Sequence, residues 1–308
     1  MALIDETTEK IDLSHIAWEC GFLKNNIGNF SLVPVGNENY LATFRAFGYY
    51  IDGKGRYLTH PGMALERPDE HLFVLLDSNF NFVRRLDLKR NTYYVPDEFV
   101  NSRTYLEDMR LVKWEGNIYG ISSTFYLNSE RWDKMGLEVQ KISLDTAKGE
   151  VFAEHVWNNV ERGIGGQREK NWLPVEDRPF HFIMGTYEHG TQWIDISTNE
   201  IGETGTVDKN NLYRGNTPLV KVEGGYLAVT HKVVTEPGKV KEYQNYLVKY
   251  GNDLSVQWIS KPFKLTHQPI EFPTCLLRKG DEWWIGDTSN DDTPFLCMVN
   301  TTEDLTHE

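Results

Sequence analysis

Residues 107–126 read EDMRLVKWEGNIYGISSTFY, and the reading of this stretch decides the fold. Glu107, Asp108 and Arg110 cluster charge at its start. An alternating run follows, with Leu111, Lys113 and Glu115 interleaved with Val112 and Trp114, the period-two pattern of a half-buried strand. Glu115-Gly116-Asn117 supplies a turn, and Ile118, Tyr119, Ile121 and Phe125 open a returning strand. A hairpin whose first strand begins in clustered charge can hold a carboxylate at the mouth of a β-architecture. The same cluster also reads as a solvated strand end. Recurrence along the chain separates the two.

One unit recurs near positions 29, 107, 169, 214 and 267: a polar leading end, a strand, a turn containing Gly or Asp, and a second strand. The first copy runs over residues 29–46, with Arg45 near the end of its second strand. The third starts Glu169-Lys170-Asn171-Trp172. The fourth starts Arg214-Gly215-Asn216-Thr217-Pro218 and ends at His231. The fifth starts His267-Gln268-Pro269-Ile270-Glu271-Phe272. Strand pairs at 71–76 with 81–86, and at 243–250 with 256–263, lie between copies and read as rim strands. Residues 89–103 read as a polar connection and 128–138 as a short helix or loop. Residues 1–20 read as a lead-in with a short helix or strand around residues 11–18, and 300–308 as a frayed tail. Helical periodicity is scarce. Copies separated by variable insertions predict an all-β chain, a single five-bladed β-propeller domain over residues 1–308 whose inner strands aim their leading ends at a central channel.

Composition narrows the function classes. A net charge of −13 excludes the basic surface that nucleic acid requires, and it leaves an anionic ligand only where cations are focused locally. Aromatics make up 13% of the chain, which suits strands and also sugar-stacking surfaces. Cys20, Cys275 and Cys297 form an odd set without framework spacing, so they read as thiols of a reducing compartment. No apolar run reaches membrane-spanning length, and the start MALIDETTEK lacks a basic signal region, so the expected location is cytoplasmic, without membrane insertion. The histidines show no paired metal-ligand spacing, and Asn290-Asp291-Asp292 reads as a turn, so no metal is expected. The Gly-rich residues 161–168 lack a phosphate-cradling motif, and no nucleophile elbow is present.

The strand-leading motifs resemble those of glycoside hydrolase family 130, the mannoside phosphorylases and related hydrolases built on a five-bladed β-propeller. Glu107-Asp108-Met109-Arg110 is similar to the family's Glu-Asp-Pro-Arg signature, and Asn29-Phe30-Ser31 with residues 40–45 resembles its first-blade element. Glu169-Lys170-Asn171-Trp172 resembles the third-blade motif, and Arg214-Gly215-Asn216-Thr217-Pro218 with His231 the fourth. Residues 169–174, 214–218 and 268–272 also resemble propeller domains of glycan-assembly proteins. Met109 stands where the family has Pro, Asn171 where a carboxylate is frequent, and Thr217 where a second Pro is usual.

The resemblance implies a carbohydrate-active enzyme acting on a mannoside-like glycoside, with an oligosaccharide or sugar phosphate as partner. Asp108 is then the general acid, acting through a sugar hydroxyl, and Glu271 the candidate second carboxylate of a hydrolase. Glu107, Arg110, Asn171, Trp172, His267 and Gln268 would bind sugar. Glu107 with Arg110 reads equally as a structural ion pair. Arg45, Lys170, Arg214 and His231 would bind inorganic phosphate as co-substrate, a local reversal of the global charge; His231 also reads as a packed core histidine. A glycosyltransferase using a sugar phosphate or sugar nucleotide, and a non-catalytic glycan-binding propeller, are the alternatives on the same scaffold.

Overall fold

The structure is a computed structural model describing residues 8–21, 27–36, 38–46, 49–51, 57–59, 70–97, 103–128, 131–161, 171–208, 210–234, 242–266, 268, 270–289 and 293–299. The chain opens with β1 (Lys10–Asp12), the short helix α1 (His15–Glu19), β2 (Ile27–Val35), β3 (Asn39–Ala46), β4 (Tyr49–Ile51), β5 (Tyr57–Thr59), β6 (Glu70–Leu76) and β7 (Phe82–Asn91). Then come β8 (Arg103–Trp114), β9 (Asn117–Asn128), β10 (Arg131–Asp145), β11 (Glu150–Asn158), β12 (Leu173–Pro174), β13 (His181–Tyr187), β14 (His189–Asp195) and β15 (Glu200–Thr206). The last are β16 (Arg214–Gly215), β17 (Val220–Val222), β18 (Gly225–Val234), β19 (Glu242–Gly251), β20 (Val256–Ile259), β21 (Cys275–Lys279), β22 (Glu282–Ser289) and β23 (Thr293–Val299). Apart from α1, the described elements are strands. The chain is all-β, as expected.

Two compact units divide it. The N-terminal unit comprises Ser14–Tyr50 and Leu58–Lys170, and the C-terminal unit Met1–Leu13, Ile51–Tyr57 and Asn171–Glu308.

In the N-terminal unit the strand order is β2-β3-β6-β7-β11-β10-β9-β8. All neighbours pair antiparallel except β7 with β11, which run parallel, with Glu150 opposite Asp87. Two antiparallel meanders are therefore joined along their last strands. Strand alternation gives each an apolar face. Val33, Leu41, Phe73 and Leu75 from one pack with Met109, Leu111, Ile118, Ile142 and Val151 from the other. A bond from the Leu111 amide to Ser31 Oγ, at 2.9 Å, ties the two leading strands together.

The C-terminal unit holds three further antiparallel sheets, ordered β12-β13-β14-β15, β16-β18-β19-β20 with β17 also on β18, and β1-β23-β22-β21. Leu173, Ile183, Tyr226, Val248 and Tyr250 belong to one buried cluster, and Leu227, Val229, Leu247, Trp283, Ile285 and Phe295 to a second. The three cysteines are buried free thiols, and burial pushes Cys20 and Cys297 up to about 11. No helix among the described residues is long and apolar enough to cross a membrane.

The lead-in holds regular structure where a short helix or strand was expected: β1 pairs with β23, placing Lys10 opposite Cys297 and Asp12 opposite Phe295, and α1 follows it. One expectation needs correction. Residues 131–138, expected as helix or loop, belong to the long strand β10. Its register shift between Trp132 and Lys134 breaks the alternation that would have marked it.

Strand packing makes a glycine indispensable at the start of β18. A Cβ on Gly225 would lie 1.8 Å from the Tyr250 carbonyl oxygen of β19, whereas one on Gly36, at φ +66°, would meet nothing within 4 Å. Urea denaturation of Gly225→Ala is expected to show a loss of about 3 kcal/mol. Gly36→Ala bears only the left-handed backbone cost, about 1 kcal/mol. Equal losses in the two variants would contradict this packing.

Candidate active site

The site begins with backbone geometry. The β2–β3 register shifts between Gly28 and Ser31, and the β8–β9 register between Glu107 and Arg110. At these bulges Asn29 and Asp108 take positive φ, 40° and 53°, and just before β12 Asn171 does the same at 64°. The left-handed region costs most side chains about 1–3 kcal/mol. Asn and Asp tolerate it best because their short polar groups bond locally, and a bulge re-aims a side chain that regular pairing would leave on a sheet face. The same short polar side chain thus appears at the same kind of bend in successive repeats.

In the N-terminal unit these bends build a buried polar centre. Asp108 is 5% exposed. Its Oδ1 accepts from Asn29 Nδ2 at 2.7 Å and from Arg45 Nη1 at 3.0 Å. Arg45 Nη2 donates to Glu107 Oε1 at 2.6 Å, so one buried guanidinium spans both carboxylates. Arg110 is fully buried, and its Nη1 lies 3.4 Å from the Asp108 backbone carbonyl. Burial draws this guanidinium down to about 10, against the opposing pull of Asp108. Charge-assisted bonds of this kind fix orientation as well as energy.

Arg45, expected as a phosphate ligand, holds the Asp108 and Glu107 carboxylates with its two Nη groups. Glu107 thus gains a partner in Arg45 that the sequence did not suggest, while Arg110 meets the Asp108 backbone carbonyl.

The C-terminal unit gathers Asn171, Arg214 and His231. The Asn171 carbonyl faces Gly215, and Arg214 sits opposite His231 across β16 and β18. Arg214 is exposed. His231 is 2% exposed; Nδ1 bonds Asn216 Oδ1, the ring stacks on Tyr243 at 4.7 Å, and the edge of Phe272 approaches at 5.5 Å. This is the packed-histidine reading. Trp172 is wholly buried, 6.2 Å from Phe182, and belongs to the core instead of forming a sugar platform. Glu271 is also fully buried. Its oxygens accept from the Leu265 and Thr266 amides, both at 2.7 Å, and from Thr266 Oγ1 at 2.9 Å. That carboxylate anchors its own loop, so the expected role as hydrolytic base is not supported by its bonding. Gln268 is exposed. Lys170 and His267 lie outside the described residues, as do Glu169 and Asn290-Asp291-Asp292.

Two features escaped the sequence reading. His71, read as part of a rim strand, is the cross-strand partner of Arg45. Burial, then the neighbouring Arg45, lowers it to about 4, partly offset by Asp108. Glu138 is buried on β10, bonded by His155 Nδ1 at 2.5 Å and Asn158 Nδ2 at 2.7 Å, with the Tyr94 amide at 3.4 Å. Burial raises the Glu138 carboxyl, and Glu138 raises His155. This network holds residues 91–94 against β10 and β11, aided by Gln140 Nε2 on the Thr92 carbonyl at 2.6 Å. The alternating polar pair Glu138 and Gln140 was its only sequence signal. Among the described residues no group of His, Cys, Asp and Glu is arranged to hold a metal ion.

No family model matches the chain, and no curated protein sequence matches it. Solved structures do. The β-1,2-mannobiose phosphorylase of Listeria innocua, seen with β-1,2-mannobiose, superposes with a TM-score of 0.55 at 12% identity, covering 99% of this chain and 94% of that one. A glycosyl hydrolase from Bacteroides ovatus gives 0.55 at 11%, covering 89% and 84%. A mannose phosphorylase from Leishmania mexicana, in complex with phosphate, gives 0.53 at 8%, covering 91% and 85%. The likeness is one of fold. It bears out, at that level, the resemblance to propeller proteins of glycoside hydrolase family 130.

The depressed His71 has a consequence for stability. The folded chain disfavours its charged form, while the unfolded chain takes the proton near the ordinary value of 6.5. Its contribution is therefore complete above pH 6.5 and is lost as pH falls toward 4. The melting temperature should fall across that window, and His71→Gln should flatten part of the fall. An unchanged slope would show that His71 is not held neutral.

Proposed function

We propose that this chain is a carbohydrate-active enzyme that cleaves or transfers a mannoside-like glycoside, with Asp108 as the proton-transferring group. In the same reading, the four-stranded sheets are blades of one five-bladed propeller spanning residues 1–308. The observation carrying the functional reading is the convergence of Asn29 and Arg45 on one oxygen of a buried, strained Asp108. Breaking a glycosidic bond needs a proton on the departing oxygen, delivered directly or through a sugar hydroxyl. Asn29 and Arg45 stabilise the carboxylate left after that transfer, and Arg45 keeps Glu107 aligned beside it for sugar hydroxyls.

The acceptor we assign is inorganic phosphate. Hydrolysis requires a second carboxylate to activate water, and Glu271, the expected one, is consumed by three hydrogen bonds within its loop. Phosphate arrives already charged and needs only cations to hold it. Arg214, exposed and at a strand-leading end, is the described cation we assign to it.

Product analysis by phosphorus NMR tests this, using neutral manno-disaccharides with and without inorganic phosphate. A sugar 1-phosphate should form. Asp108→Asn should lower turnover by about 10²–10⁴-fold while the chain stays folded. Arg214→Ala should raise the phosphate concentration needed for half-maximal rate. Turnover to free sugar independent of phosphate would instead make the chain a hydrolase. Full activity in Asp108→Asn would remove the assigned acid.

A further inference from the structure

The N-terminal unit contains a cleft of about 460 Å³, within the size range of small-molecule sites, that the Asp108 centre does not account for. Its walls are the start of β6, the second half of β7, Tyr93, and Thr104 to Leu106 of β8. One wall touches the carboxylate centre on both sides. His71 is the cross-strand neighbour of Arg45, and Leu106 precedes Glu107 in β8.

The chemistry of the lining selects a ligand class. Its charged groups are already engaged. Lys89 Nζ lies 3.1 Å from Asp87 and 3.8 Å from Glu150, and Arg85 Nη1 donates to the Cys20 carbonyl at 3.1 Å. His71 is held neutral at physiological pH. The polar atoms left over are neutral ones: His71 Nε2 and Thr104 Oγ1 are both buried without a hydrogen-bond partner. A buried polar atom without a partner is costly, so a ligand that satisfies it gains affinity. His71 and Thr104 both line the cleft. Tyr93 and Tyr105, both half-buried, add rings with an apolar face and a polar tip.

Neutral donors and acceptors beside two tyrosine rings match a hydroxylated, uncharged ring better than an anion. We propose that this cleft is a subsite for one uncharged sugar unit of the substrate, adjoining the unit whose bond reacts at Asp108. The inference rests on the carbohydrate reading above and extends it. It extends the substrate to three or more units, while a disaccharide still reacts at Asp108 without filling the cleft.

Calorimetry with neutral di- and trisaccharides of mannose, galactose and arabinose tests it on wild type, Thr104→Val and Tyr105→Ala, each checked for a melting temperature no lower than that of wild type. Thr104→Val is nearly isosteric and guards against a folding artefact. Trisaccharide affinity should fall about tenfold in both variants, while disaccharide affinity and turnover stay as in wild type. Variants that bind the trisaccharide as tightly as wild type would overturn the subsite and leave the carbohydrate reading standing. Loss of inorganic phosphate binding in the same variants would make the cleft an anion site and also overturn it. A wild type that neither binds nor turns over any of these sugars would sink the carbohydrate reading, and the subsite with it.

Discussion

One guanidinium holds the candidate site together. Arg45, itself buried, bonds Asp108 and Glu107, residues more than sixty positions away on the first strand of the neighbouring meander. Two acidic groups side by side in a desolvated place would repel each other and the interior. A planar, permanently charged fork satisfies both at once, and Asn29 adds a neutral donor to the oxygen that Arg45 already holds. Removing Arg45 leaves both carboxylates without their shared cation, which is why these side chains must be positioned together. The bulges at Asn29 and Asp108 accomplish that positioning. Each turns a strand residue out of the regular alternation at the point where the two meanders' leading strands are stitched by Ser31 and Leu111.

The all-β class was legible because the chain is built from local signals repeated several times. Alternating apolar residues with Gly- or Asp-containing turns marked β2 with β3, β8 with β9, and β21 with β22, and the structure places strands there. What failed was an element whose own pattern is interrupted. β10 begins among charged residues and is interrupted by a bulge, so its partner β9 supplies the order that its own sequence hides.

The site was legible by residue type and less so by role. Asp108 and Glu107 stood out as clustered charge at a strand start, and the structure does bring them to one buried place. Arg45 was singled out as a cation, but which anion it serves depends on a neighbouring sheet that no spacing reveals. Trp172 and Glu271 show the opposite error: residue types with obvious chemistry that burial and backbone bonds have already spent. His71 illustrates the remaining gap. Nothing beside it in the sequence indicates that it stands across a strand from Arg45, where burial and that positive charge keep it neutral.

The role of Arg45 as the clamp on Asp108 can be measured without knowing the substrate. A double-mutant cycle of Arg45→Met and Asp108→Asn, read by denaturant unfolding, isolates their coupling. The structure predicts a coupling of about 3 kcal/mol, with the double variant recovering part of what each single variant loses, because no lone charge is left beside the other's vacated place. Additive losses, with coupling near zero, would mean that Arg45 and Asp108 do not depend on each other, and the buried centre on which the functional reading stands would have to be abandoned.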